Sequence, residues 1–189
     1  MPRPRGFDEN DVLGCAMQMF WRRGYEGTTT RAIQDETGVG IRSLANTFGE
    51  KDELFMRALR MYREMAEGIL DQVFALPGRD AIIAFFAGMG AETEDADDVR
   101  NAGCLMVNTT FELTRTSPAI REEVEGYRAM FRDRFRDALD ADGIADADTR
   151  AEFLLGALWG ALSQIRLAGA TTAAKPMTDV VIATVRGWL

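Results

Sequence analysis

Apolar residues recur along this chain at spacings of three and four, and no stretch alternates in the way a strand would. The first run, Leu13, Ala16, Met17 and Phe20, predicts a helix over Glu9–Arg23, stopped by Gly24. Thr28 or Thr29 caps a second helix, and the pattern leaves open which. That helix ends at Gly38, and a third follows over Ile41–Phe48, ended by Gly49. Its Leu44 and Phe48 are expected to face inward with Phe20, Ile33 and Val39. A fourth helix opens near Lys51 and runs to about residue 75, with Leu54, Phe55, Ala58, Leu59, Tyr62, Met65, Ile69, Val73 and Phe74 on its apolar side. Pro77-Gly78 breaks it.

Further helices are expected over 80–91, over 103–114, from Ser117-Pro118 through Leu139, over 150–168, and from Pro176 to the end. Ser as N-cap with Pro at the first helical position is a start signal. Acidic connections, 92–98 and 140–148, separate these helices. The expected fold is all-α with about nine helices. A head over residues 1–50 is followed by a larger body over 51–189.

Composition narrows the chemistry. The 189 residues include no histidine, which removes Ser-His-Asp and Cys-His catalysis and every His-ligated metal site. The cysteines, Cys15 and Cys104, fall in different helices, so we expect reduced thiols, no disulfide and no metal. No apolar run reaches the ~18 residues of a membrane span, and Met1-Pro-Arg-Pro-Arg-Gly leads into no apolar segment of a secretory signal. A cytoplasmic protein with no membrane association and no cofactor is therefore expected. Pairs such as Glu122 and Glu123 fit a solvated helix face, and an enzyme is not expected.

Two short helices joined by a tight turn at Gly38-Val39 are the pattern of a helix-turn-helix, whose second helix lies in the major groove of double-stranded DNA. The net charge of −8 opposes nucleic-acid binding in general, and residues 1–55 hold nine acids against seven bases. The positive groups are nevertheless placed in the arm and on the short helices. Specific, salt-dependent binding with weak non-specific affinity is expected.

The head resembles the TetR family of bacterial transcriptional regulators. The family pattern is roughly F-x3-G-[YF]-x2-T-[TS]-x3-I-A-x3-G-V-S-x2-[ST]-L-Y-x2-F-x2-K-x2-L. It is matched at Phe20, Gly24, Tyr25, Thr28, Thr29, Ile33, Gly38, Val39, Ser43, Leu44, Phe48, Lys51 and Leu54. Gly40 stands where the family has Ser, so the third helix lacks its N-cap oxygen. Ala45 replaces a Tyr that in the family commonly reaches a phosphate, and Asn46 and Thr47 replace the frequent His or Ala.

The candidate DNA contacts follow from side-chain chemistry. Arg42 suits guanine, Asn46 adenine, and the Thr47 methyl the thymine methyl. Ile41 and Ser43 share their helix. Thr28, Thr29, Thr30 and Arg31 at the second helix N-terminus, with Lys51, suit phosphate. Arg3 and Arg5 fit a minor-groove arm or a solvated tail.

For the body, the resemblance implies a helical domain that binds a small molecule and dimerises through its last two helices. Leu154, Leu155, Leu158, Leu162 and Ile165, with Val181, Thr184 and Trp188, are the expected homodimer face. The alternative is that they close the protomer core. Phe85, Phe86, Met89, Met106, Phe111, Tyr127, Phe131 and Trp159, with Cys104 and Asn108, are the expected lining for an apolar or aromatic effector; plain core is again the alternative. Gly103-Cys104-Leu105 followed by Asn108 resembles a subset of such regulators, some of which sense electrophiles or oxidants through a thiol. An inert buried thiol is the other reading.

Overall fold

A computed structural model describes residues 7–93, 95, 97–112 and 117–188, and among these it contains nine α-helices and no strand. The all-α class expected from the sequence is the class found. The chain forms two compact units, one ending at Glu64 and one beginning at Met65.

The first unit holds α1 (Glu9–Arg23), α2 (Thr30–Thr37), α3 (Ile41–Phe48) and the start of α4 (Lys51–Val73). Asp8 caps α1 by accepting from the Asn10 and Asp11 amides. Glu9 and Asp11 in its first turn and Arg22 and Arg23 in its last complement the helix dipole. Thr29 caps α2 through the Ala32 amide, which settles the choice between the two threonines. Gly38, at φ 72°, ends α2 in the left-handed conformation and sends its N–H back to the Gln34 carbonyl.

Phe20, Ile33, Leu44, Phe48, Leu54, Phe55, Ala58 and Leu59 form the closed core of this unit. Phe20 meets Phe55 edge-on at 4.8 Å, and Trp21 meets Tyr62 likewise.

The second unit holds α5 (Gly78–Met89), α6 (Leu105–Glu112), α7 (Pro118–Ala141), α8 (Ala147–Ala168) and α9 (Lys175–Arg186), with 3-10 turns at Val99–Ala102 and Thr171–Ala174. Helix α7 packs along α8, and α5 packs on both α7 and α9. Ser117 caps α7 through the Ile120 amide with Pro118 in the first turn, as its sequence signal implies. Among the described residues, no helix is long and apolar enough to cross a membrane.

Some expected boundaries shift. Helix α5 starts at Gly78, because a carboxylate from a distant turn supports it. Asp142 accepts from the Arg79 amide and pairs with the Arg79 guanidinium. Helix α8 starts at Ala147, and the Thr114 end expected for α6 lies outside the described residues. On α4, Tyr62, Ala66 and Leu70 are buried, whereas Met65 and Ile69 are exposed. The inward stripe is narrower than the run of apolar residues.

Candidate nucleic-acid interface

Helix α3 presents a polar face over an apolar one. Leu44 and Phe48 anchor it in the core, which leaves Ile41, Arg42, Ser43 and Asn46 exposed and Thr47 half-buried. Ser43, Asn46 and Thr47 line an open groove of about 580 Å³ together with Phe7, Thr37, Gly38, Val39 and Gly40. Hydrogen-bonding side chains and a small apolar wall thus share one face, as base-edge and methyl recognition require. Gly40 gives α3 no side-chain cap, but the Gln34 side-chain oxygen accepts from the Ile41 amide at 3.3 Å.

The expected phosphate contacts divide. Thr29 and Thr30 lie at the α2 N-terminus, Thr29 exposed and Thr30 half-buried. Arg31 is exposed and pairs with Asp35 at 3.2 Å, a surface pair worth about 0–1 kcal/mol and readily exchanged for another partner. Thr28 does not belong with them. It is fully buried, and its hydroxyl donates to the Gly24 carbonyl at 2.9 Å with the Met19 carbonyl at 3.2 Å. It ties the α1 end to α2 and offers nothing to a ligand. Arg3 and Arg5 lie outside the described residues.

Lys51 has a built seat. Its ammonium stands 4.0 Å from the centroid of the Tyr25 ring. That ring stacks on Phe20 and meets Phe55 at 5.1 Å, and its hydroxyl donates to the Asp52 carboxylate. Burial first, then the hydrogen bond and charge of Asp52, then the charge of Glu26, push the Tyr25 phenol up to about 12. Tyr25 was legible only as a motif residue; its service to Lys51 was not.

In the body, Phe86, Cys104, Met106, Tyr127 and Phe131 are buried, and Phe85, Asn108 and Trp159 are half-buried. The aromatic members pack ring against ring. Phe85 meets Phe86 at 5.4 Å and Phe131 at 5.6 Å, while Tyr127 meets Phe131 at 5.0 Å and Trp159 at 6.1 Å. Asn108 donates its amide to the Ala102 carbonyl at 3.0 Å. Two expected members fall elsewhere. Phe111 is 77% exposed near the end of α6, and Met89 packs on the cluster of Ala161, Ile165 and Ala174. The Cys104 sulfur lies 3.5 Å from the Tyr127 hydroxyl, and the Cys15 thiol is pushed up by burial and then by the charge of Glu36.

The expected dimer face needs correction. Leu154, Leu155, Leu158, Ile165 and Val181 are buried within the protomer, and Leu162 packs on the Ala161 cluster. A second copy cannot cover what the protomer already covers. Thr184 is half-buried, and Trp188 is held against Phe153 at 6.2 Å with the Arg150 guanidinium 4.8 Å from its ring. The large exposed apolar residues of α8 and α9 are instead Phe153, Leu167 and Val180. On α8, positions 153, 157, 160, 164 and 167 alternate spacings of four and three; 176, 180, 183 and 187 do so through α9 and its C-cap. Spacings that alternate between four and three are those at which a helix can pack along another.

Two family models match the chain: the bacterial regulatory proteins of the tetR family over residues 12–58, and the tetracyclin repressor-like C-terminal domain over residues 78–181. The HTH-type transcriptional repressor ComR of Escherichia coli is 30% identical over 131 residues, 68% of this chain and 61% of that protein. The HTH-type transcriptional repressor AcnR of Corynebacterium glutamicum is 25% identical over 186 residues, 93% of this chain and 91% of that one. Among solved structures, a cysteine mutant of the TetR family transcriptional regulator CifR, complexed with 26-base-pair double-strand operator DNA, superimposes with a TM-score of 0.81. It is 28% identical, and the match covers 99% of this chain and all of that chain.

Proposed function

Because the chain belongs to the TetR family of bacterial transcriptional regulators, we propose that it is a homodimeric repressor released from double-stranded operator DNA by a small apolar or aromatic effector. A DNA-binding transcriptional regulator, in a family of regulators rather than enzymes, follows from membership. The observation that carries the reading of operator DNA is the exposed face of α3, with Arg42, Ser43 and Asn46 outward over a core-anchored Leu44 and Phe48. Arg42 reads guanine, Asn46 reads adenine, and Ile41 and Thr47 supply methyl contacts. Thr29, Thr30, Arg31 and Lys51 set the register on phosphates.

One such head reads one half-site, and a two-fold operator calls for a two-fold protein. The exposed seam of Phe153, Leu167 and Val180 supports a second copy on α8 and α9. The effector is assigned to the aromatic region of Phe85, Tyr127, Phe131 and Trp159, whose rings suit an apolar guest. Helix α4 begins in the first unit and ends in the second, and it is the covalent route by which occupancy of the body reaches the head.

A thiol-sensing reading rests on Cys104 beside the Tyr127 hydroxyl. Its burial argues against it, since oxidation follows exposure and thiolate character. A Cys104→Ser protein that loses oxidant-triggered release would establish it.

The test of the proposal is selection of bound duplexes from a random pool. A near-palindrome should emerge, and Arg42→Ala should relax its guanine positions, at a cost of about 1–3 kcal/mol per contact. No enriched sequence, or an unchanged one with Arg42→Ala, would overturn it.

A further inference from the structure

Helix α3 has only eight residues, so its geometry depends on how its first turn is held. The Ser43 and Leu44 amides bond back to the Gly40 carbonyl at 2.8 and 3.0 Å, but Gly40 has no side chain to cap the Arg42 or Ser43 amide. The first amide of the helix, the Ile41 N–H, which an N-cap side chain does not reach, is received from across the turn. Gln34, on α2, accepts from the Ile41 N–H through its side-chain oxygen and from the Gly38 N–H, at 2.8 Å, through its main-chain carbonyl. One residue therefore fastens both the end of α2 and the start of α3.

The same two positions depart together from the pattern set out above, in which Ala stands where this chain has Gln34 and Ser where it has Gly40. A Ser there would take the second or third amide of α3; here a side chain on the preceding helix takes the first. We propose that Gln34 is the positioning residue of the recognition helix, holding its first amide where no N-cap side chain holds the later ones, and fixing the turn that carries Arg42 and Ser43. The proposal rests on the DNA-reading role of α3. The register of α3 is thereby set by α2, so whatever holds α2 on a phosphate also holds the reading helix.

Gly40 makes the proposal testable by rescue. Its φ of −59° and ψ of 143° suit any residue, and nothing lies within 4 Å of where a Cβ would sit. Ser enters there without strain and gives α3 a cap of its own, on the Arg42 or Ser43 amide.

Four full-length proteins are compared: the parent, Gln34→Ala, Gly40→Ser and the double variant. Two readouts are taken, hydrogen exchange at the Ile41 amide without DNA, and fluorescence anisotropy on the selected operator. Gln34→Ala should speed Ile41 exchange and weaken operator binding about fivefold, the scale of one lost hydrogen bond expressed in binding. Adding Gly40→Ser should bring binding back to within about twofold of the parent while Ile41 exchange stays fast, because an N-cap oxygen reaches the second and third amides of a helix and not the first. Unchanged Ile41 exchange in Gln34→Ala would overturn the proposal. Binding that Gly40→Ser does not bring back would also overturn it, because Gln34 would then be touching DNA itself. A parent protein that binds no DNA would instead sink the DNA-reading role, while the exchange readout would still decide whether Gln34 holds the Ile41 amide.

Discussion

Replacing Leu167 and Val180 together by Glu should separate dimerisation from folding. Full burial of a Leu or Val side chain is worth about 1.5–3 kcal/mol. Leu167 is 83% exposed in the protomer and Val180 63%, so most of that gain is still to be made when a second copy covers them. Both side chains on both protomers of a two-fold pair amount to about 4–9 kcal/mol. At ~1.4 kcal/mol per tenfold, losing most of this and placing charges on the seam should raise the dimer Kd at least about a thousandfold. Folding should hardly respond, because Glu is a good helix former and exposed sites change stability by about ±0.5 kcal/mol. Leu158→Ala is the contrast. Leu158 is buried within the protomer, and its truncation should cost about 2–5 kcal/mol of folding. Sedimentation at micromolar concentration and urea unfolding read the two effects. A double-Glu protein that stays dimeric, or that unfolds like Leu158→Ala, would refute the assignment of the seam.

Two further substitutions probe the supports of each unit. Gly78 sits at φ 55°, and a Cβ there would fall inside the Asp142 carboxylate that supports the start of α5. Gly78→Ala should cost about 2–3 kcal/mol and lower the Tm by about 5–10 °C, read by scanning calorimetry. Tyr25→Phe keeps the ring under Lys51 but removes the bond to Asp52. The folded phenol is raised to about 12 from an ordinary value of 10, so its contribution is fully present below pH 10 and is lost as pH rises through 12. The stability difference between parent and Tyr25→Phe, followed by urea midpoints, should shrink over that window; a constant difference would contradict the assignment.

Local chemistry explains why the helices and the outward side of α3 were legible. Gly24, Gly38 and Gly49 end helices through positive φ, Ser117 and Pro118 open one, and Leu44 and Phe48 dictate which side of α3 faces out. What stayed hidden depends on partners distant in the chain or on competing apolar faces. Helix α8 carries apolar residues on more than one side, with Leu154, Leu158 and Ile165 on one and Phe153 and Leu167 on another, so periodicity alone does not say which side the protomer takes. Gly78 read as a breaker because its support comes from Asp142. Thr28 and Thr29 were equivalent as caps until the buried carbonyls of Met19 and Gly24 claimed Thr28. Gln34 passed unnoticed because a side chain that holds a helix's first amide across a turn obeys no spacing rule.

The most direct measurement is a fluorescence anisotropy titration of the full-length protein on DNA flanking its own gene, at several salt concentrations. Saturable binding to a near-palindrome is expected, with a Kd of about 10⁻⁸–10⁻¹¹ M, two protomers per site, weakening steeply with salt. Binding no tighter than to random DNA, or binding by one protomer insensitive to salt, would contradict it.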